Sequence, residues 1–149
     1  MSAHAPGPAQ AYGFTLGRVD LLLDPADDAQ YVADATVYPL LLAPPRVLGL
    51  IQVRGQPVPV LDADPQPQRL AQRPDRVQVL VVGGGFDAGA LRVEHPPRAV
   101  ELAPGDATQA PPHPECAFAG ALRAPARDSD GRWWWRFDAP QLFRALAVD

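Results

Sequence analysis

Residues 38–62 read YPLLLAPPRVLGLIQVRGQPVPVLD, and this stretch decides the fold class. Val47–Val53 and Val58–Leu61 are short apolar runs, each typical of a β-strand bounded by turn-forming residues. Arg54-Gly55-Gln56 lies between them, and its glycine can adopt the positive φ angle that a tight turn requires. The stretch therefore predicts a β-hairpin in a protein that is built from short strands.

Similar short apolar runs continue in both directions along the chain. They include Tyr12–Leu16, Val19–Leu23, Thr36–Leu42, Val77–Val82, Ala99–Leu102, Phe118–Leu122 and Arg132–Phe137. The 12 Gly and 19 Pro residues separate these runs and leave little room for long helices. About ten such strands indicate small β-barrels.

The C-terminal segment is the exception to this pattern. Asp138 can cap a helix that has Pro140 in its first turn. Leu142, Phe143 and Leu146 then follow at helical spacing. We expect one short helix there, packed on the first of two lobes through these three side chains.

The composition excludes several classes of function. Apolar residues make up 47% of the 149 residues and charged residues 20%, which is typical of a globular protein. The net charge of −4 argues against sequence-independent binding of nucleic acid. No apolar run approaches the roughly 20 residues that span a bilayer, so membrane insertion is not expected. The N-terminus has no signal-peptide pattern and Cys116 is the single cysteine, so the expected location is cytoplasmic.

Residues that could carry catalysis or bind a metal are few and scattered. His113 and Cys116 are three apart in a proline-rich loop with His95 elsewhere, too few ligands for a typical zinc site. Gly83-Gly84-Gly85 lacks the following helix that a phosphate-binding loop needs, so it is interpreted as a hairpin turn. We expect no enzyme activity, no cofactor and no metal.

The 38–62 segment resembles the signature of CheW-like domains. It has a proline-bounded lead-in, a glycine-containing apolar strand, Arg-Gly at a turn, and an apolar strand with proline that ends in Asp62. Phe14-Thr15-Leu16-Gly17 stands where that family opens. The chain departs from the family pattern, which prefers an acidic residue, a second proline, Asn, Leu and Asp at the positions of Gln30, Leu41, Gln52, Ala63 and Glu94.

This resemblance implies an all-β fold of two packed five-stranded SH3-like β-barrel lobes with a short C-terminal helix. Residues 1–11 are then a flexible tail, and 12–149 form a single CheW-like domain. Lobe one is predicted at about 12–70 plus 132–149, and lobe two at about 77–131.

The resemblance also implies a non-catalytic adaptor of bacterial signal transduction. Such proteins couple the cytoplasmic tip of a chemoreceptor to the regulatory domain of a chemotaxis histidine kinase, in swimming chemotaxis or in pilus-driven twitching motility. Two alternatives remain open: a small β-barrel module that binds a protein or peptide outside chemotaxis, and a small hydrolase. A concave site with convergent titratable groups favours an enzyme, whereas apolar patches favour an adaptor.

Arg54 is the main candidate for contact with a partner. Strand alternation puts Arg54 on one face together with Leu48, Leu50 and Gln52, and that face changes from apolar to polar towards the turn. The resemblance adds Gly49, Gln30 and Val32 to this partner-binding surface. The alternative is that Arg54 only pins its own turn through Asp62.

The last candidate is Trp134. In Arg132–Phe137, the residues Trp133, Trp135 and Phe137 share one strand face, which is assigned to the core. Trp134 shares the other face with two arginines. It is either an exposed partner-binding anchor or a ring that lies beneath arginine side chains in cation–π contact.

Overall fold

The computed structural model describes residues 9–63, 75–84, 87–104 and 109–148. Within these ranges the chain forms ten strands, one 3-10 turn (Ala119–Ala121) and one helix, α1 (Ala139–Ala147). The strands are β1 (Ala9–Leu16), β2 (Val19–Leu23), β3 (Ala29–Thr36), β4 (Val47–Val53), β5 (Gln56–Leu61), β6 (Arg76–Val82), β7 (Gly89–Arg92), β8 (Arg98–Leu102), β9 (Leu122–Arg127) and β10 (Trp133–Phe137).

The strands form two five-stranded sheets that each curl into a barrel. The first, barrel one, has the order β8-β1-β2-β10-β9, and the second, barrel two, has the order β3-β6-β7-β5-β4. An antiparallel bridge between Leu102 and Asp128 joins the outer strands of barrel one, and a bridge between Tyr38 and Leu50 does the same in barrel two. The predicted all-β fold with two five-stranded lobes and a terminal helix is confirmed.

The two barrels divide the chain differently from the predicted lobes. All strands between residues 29 and 92 belong to barrel two, so the predicted boundary near 62–76 falls inside that barrel. Strands that are close in sequence more often pair with one another, as the predicted lobe one would require. Here β10 pairs in parallel with β2, with Trp135 opposite Leu21, and occupies the edge that β3 would have needed.

The chain returns to barrel one already at β8, which begins at Arg98, and not near residue 132. The assignment of β3, β4 and β5 to lobe one and of β8 and β9 to lobe two is therefore wrong. The predicted tail is also too long. Strand β1 begins at Ala9 and pairs with β8 from that residue onwards. Residues 1–8 lie outside the described ranges.

The core is divided into three parts by the alternation of side chains along the strands. Leu22 of β2 packs with Trp134 inside barrel one, whereas its neighbours Leu21 and Leu23 face the junction of the barrels. Val79 of β6 packs inside barrel two, whereas Leu80 faces the junction. The junction cluster is the largest, and it holds the two barrels together through buried aliphatic side chains.

Helix α1 closes this junction. The Asp138 side chain accepts a hydrogen bond from the Gln141 backbone N–H at 3.0 Å, as predicted for the N-cap. Leu142 and Leu146 are completely buried in the junction cluster. Phe143 packs against Gly89 of barrel two, so the helix contacts both barrels rather than barrel one alone. No helix in the described part of the chain is long and apolar enough to cross a membrane.

Candidate functional site

The turn between β4 and β5 presents Arg54 to solvent. Arg54 has a φ of 51° and Gly55 a φ of 80°, the pair of positive values that defines a type I′ hairpin turn. The Arg54 side chain is exposed and makes no hydrogen bond or ion pair with any described residue. Asp62, the partner in the turn-pinning alternative, forms its ion pair with Arg92 at 3.3 Å. The guanidinium of Arg54 is therefore available to a partner.

The fold brings two of the predicted partner residues together. Arg54 and Gln30 line a depression of about 70 Å³ on barrel two, which they share with Asp28 and Gln56. Gln52 is also exposed on β4, two residues before Arg54. Val32 lies outside this depression and packs, half-buried, against the core of barrel two.

Leu48 and Gly49 do not belong to this surface, so their assignment to it is wrong. A register shift between Val47 and Gly49 interrupts the strand alternation, and Leu48 points into the core of barrel two, where it is 2% exposed. Gly49 has a φ of 152° and lies directly against the backbone of Tyr38. Both residues are buried and shape the strand.

Trp134 is buried as well, which excludes the exposed-anchor interpretation. Its side chain is 1% exposed, and its indole Nε1 donates a hydrogen bond to Asp128 Oδ2 at 2.9 Å. The guanidinium carbons of Arg132 and Arg98 lie 4.9 and 5.2 Å from the ring centroid. The cation–π alternative is therefore confirmed, and Trp134 is removed from the partner-binding residues.

Asp128 is a buried carboxylate that organises this end of barrel one. Burial alone would raise its pKa, but hydrogen bonds from Trp134 Nε1 and from the backbone N–H groups of Arg132 and Asp130 lower it, together with the charge of Arg132. The pKa of Asp128 is lowered overall. The carboxylate is therefore charged at neutral pH and fully engaged in holding its neighbours.

A larger surface feature, which the sequence did not predict, lies between the barrels. We call it the inter-barrel groove: it has a volume of about 590 Å³, and its walls include Tyr12, Leu23, Tyr31, Leu80 and Pro97. Tyr12 is 61% exposed, an unusual state for a large aromatic side chain.

The groove is lined mainly by apolar and aromatic groups. Its acidic residues Asp24 and Asp27 are engaged in their own turn, where the Asp27 carboxylate accepts a hydrogen bond from the Asp24 N–H at 2.9 Å. The Tyr31 hydroxyl donates a hydrogen bond to the Gln78 side chain at 2.5 Å, and this bond fixes the orientation of the Tyr31 ring. The groove thus suits the docking of an apolar surface better than acid–base chemistry.

A second apolar feature is the segment Leu40–Leu42, which we call the leucine loop. Leu41 and Leu42 are 97% and 103% exposed, and Leu42 has a φ of 60°, which is uncommon for a residue other than glycine. This segment belongs to the stretch that resembles CheW-like domains, and no sequence pattern assigned it a role.

The candidate residues for catalysis or metal binding make contacts of a different kind, as His113 and Cys116 show. His113 packs edge-on against Trp135, with ring centroids 4.7 Å apart. Burial raises the pKa of the Cys116 thiol, which makes it less reactive, and the backbone hydrogen bond with Phe118 only partly offsets this. Within the described residues, no three His, Cys, Asp or Glu side chains cluster as a metal site would require. The absence of enzyme activity, cofactor and metal stays a prediction.

Comparison with known proteins identifies the fold. The structure of the scaffolding protein TtCheW from Thermoanaerobacter tengcongensis is similar to this chain with a TM-score of 0.64. The match covers 96% of this chain and 92% of TtCheW, at 18% sequence identity. Neither a family model nor a curated protein matches the sequence. The chain therefore has the fold of a CheW scaffolding protein along nearly its whole length.

Proposed function

We propose that this protein is a non-catalytic adaptor that couples a chemoreceptor to a chemotaxis histidine kinase in the bacterial cytoplasm. The inter-barrel groove is the observation that carries the proposal. It offers an apolar, aromatic-walled cleft of a size that suits one face of a helix, whereas the acidic groups at its rim are occupied in their own turn. The likeness of the whole fold to a scaffolding protein supports the same function.

The groove is the proposed binding site for the helical cytoplasmic tip of the receptor. Helices bind in grooves through apolar residues on one face, and the exposed ring of Tyr12 and the fixed ring of Tyr31 can hold such residues. This mode needs a groove that is largely formed before the partner arrives. Tyr31 is fixed by Gln78, and Leu80 belongs to the buried junction cluster, so much of the wall is rigid.

A second surface would be available for the regulatory domain of the kinase. Successive side chains of a strand point to opposite faces. In β3, Ala29 and Tyr31 line the groove, whereas Gln30 lines the depression beside Arg54. An adaptor needs two such separate surfaces, so we assign Arg54, Gln30 and Gln52 to the second partner, with Val32 supporting them from the barrel.

The proposal is tested by measuring the affinity of the purified protein for two immobilised partners. These are a chemoreceptor cytoplasmic-tip coiled coil and the regulatory domain of a chemotaxis kinase, taken from the same bacterium. Tyr12→Ala should weaken receptor binding at least about tenfold and leave kinase binding unchanged. Arg54→Ala should do the reverse.

Each variant has a matched control. Tyr38→Ala removes a ring of similar exposure outside the groove (56% against 61%), and Arg127→Ala removes an exposed arginine elsewhere. Binding of neither partner by the wild-type protein, or equal losses in Tyr12→Ala and Tyr38→Ala, would contradict the proposal. A groove that bound unrelated helical peptides equally well would instead support a general peptide-binding module. Whether the pathway controls swimming or pilus-driven motility is decided by deleting the gene and comparing both behaviours.

A further inference from the structure

A polar cleft opens above the indole ring of Trp134, at the end of barrel one that faces barrel two. Its volume is about 350 Å³, and the charged and imidazole side chains of its lining are Arg92, Arg98, Arg132, His95, Asp62 and Glu94. We call it the arginine cleft. Three guanidinium groups outnumber the two carboxylates of this lining, whereas the protein as a whole carries a net charge of −4.

The three arginines of the cleft differ in how they are occupied. Arg132 donates two hydrogen bonds to the Asp20 carboxylate, both at 2.6 Å, and these bonds raise its pKa. Arg92 is paired with Asp62 at 3.3 Å. Arg98 makes no hydrogen bond or ion pair with any residue in the described ranges, although it lines the same space.

Arg98 is nevertheless held in position. Its guanidinium carbon lies 5.2 Å from the centroid of the Trp134 ring, and that ring is locked by the hydrogen bond to Asp128. The ring sits so close to β1 that a Cβ at Gly13 would lie 2.5 Å from the indole. An arginine stacked on a fixed aromatic surface keeps its planar donor groups free at its edge, and it loses little side-chain freedom when a ligand binds.

A second positive group, the guanidinium of Arg132, lies close to the same ring. The Arg132 guanidinium carbon lies 4.9 Å from the same ring centroid, and of the two arginines on this ring only Arg132 has a carboxylate partner among the described residues. Because Asp20 already compensates the charge of Arg132, the guanidinium of Arg98 is the one on this ring that an added anion can contact through charge-assisted hydrogen bonds. His95 lines the same cleft and can add a ring N–H donor.

We infer that the arginine cleft is a binding site for carboxylate groups, with Arg98 as the residue that contacts the ligand. A planar carboxylate matches the paired donors of a guanidinium in two parallel hydrogen bonds. The carboxylate can come from an acidic segment of a protein partner or from a free small dicarboxylate. The inference does not depend on the proposed adaptor role: the cleft adjoins the inter-barrel groove at Pro96 but shares no other lining residue with it, and it shares none with the Arg54 depression.

Two probes distinguish these sources: a capped tetraglutamate peptide and free glutarate, each titrated into the full chain. Tryptophan fluorescence is the readout, since a ligand on Arg98 changes the surroundings of the Trp134 ring. We expect saturable binding that weakens at high salt, and a loss of affinity of at least about tenfold in Arg98→Gln. Arg144→Gln, which removes the same charge from the exposed face of the terminal helix, should stay within about twofold of wild type.

The outcomes separate cleanly. Tighter binding of the peptide assigns the cleft to an acidic protein segment, and tighter binding of glutarate assigns it to a small molecule. Equal losses in Arg98→Gln and Arg144→Gln would overturn the inference, because they indicate diffuse attraction to positive charge. It is also overturned if neither probe binds saturably up to about 10 mM. In that case a lower melting temperature of Arg98→Gln would leave Arg98 with a purely structural role on Trp134.

Discussion

Replacement of Gly49 by alanine should destabilise the protein severely, although Gly49 was expected to be a partner-contacting residue. A Cβ at this position would lie 2.3 Å from the carbonyl oxygen of Tyr38, which is backbone and cannot rotate away. The φ of 152° is itself unfavourable for alanine, at a cost of about 1–3 kcal/mol. Tyr38 and Leu50 exchange two hydrogen bonds of 2.8 Å at this point, each worth about 1 kcal/mol net, and the clash pushes them apart.

Together, the backbone cost and the two weakened hydrogen bonds should lower the free energy of unfolding of Gly49→Ala by about 3–5 kcal/mol. For a chain of this length, that corresponds to a melting temperature lower by about 10 °C. Two other glycines separate the contributions. Gly55→Ala has a positive φ of 80° but open space around the Cβ, so it should cost only about 1–2 kcal/mol. Gly120→Ala has neither feature and should stay within about 0.5 kcal/mol of wild type.

Urea unfolding followed by tryptophan fluorescence measures all three variants under the same conditions. Binding should be measured in parallel on the folded fraction, where Gly49→Ala should retain normal affinity for both partners. The reasoning is refuted if Gly49→Ala is no less stable than Gly55→Ala. A fully stable Gly49→Ala that fails to bind would restore the partner-contact interpretation of this glycine.

Three further predictions concern the buried groups. Trp134→Phe removes the hydrogen bond to the buried Asp128 carboxylate and should lower the free energy of unfolding by about 1–3 kcal/mol in urea titrations, clearly more than Trp133→Phe at the half-buried neighbour. Folding lowers the pKa of Asp128 from its ordinary value of 3.8, so the carboxylate should contribute fully to stability at any pH above 3.8. That contribution should decrease as the pH falls below 3.8 towards the folded-state pKa. When the free energy of unfolding is measured across the acid range, it should therefore decrease less steeply in Asp128→Asn than in wild type. Leu142→Ala should lower the free energy of unfolding by about 2–5 kcal/mol because Leu142 is completely buried between the barrels. Arg144→Ala, on the exposed side of α1, should change it by less than about 0.5 kcal/mol. A small effect of Leu142→Ala in calorimetry would contradict the role of the helix in joining the barrels.

The sequence was sufficient for features that depend on neighbouring residues. The Arg54-Gly55 turn follows from a glycine between two apolar runs, and α1 follows from an aspartate cap, a proline and helical spacing. Both are decided within a few residues, where backbone preferences and hydrogen-bonding side chains dominate.

Features that depend on distant residues could not be predicted in the same way. The parallel pairing of β10 with β2 joins residues more than a hundred positions apart, and no local pattern announces it. The register shift after Val47 sends Leu48 into the core, and strict alternation gave it the opposite direction. The walls of the inter-barrel groove come from five separate parts of the chain, so none of them alone indicated a groove. Tyr12 stands in an apolar run, and nothing in that run marked its ring as exposed.

In the sequence, all strands of barrel two lie between β2 and β8 of barrel one. This order determines which barrel can be completed first during translation. The ribosome has synthesised all five strands of barrel two by Arg92, when barrel one still lacks β8, β9 and β10. At about 5–20 residues per second, Leu146 follows roughly 3–11 seconds later. Throughout that interval the side of barrel two that carries Leu80 and Leu91 has no terminal helix to cover it. The nascent chain therefore displays the apolar half of its own future junction, which makes this period the one in which chaperones, or a second nascent copy, have most opportunity to bind.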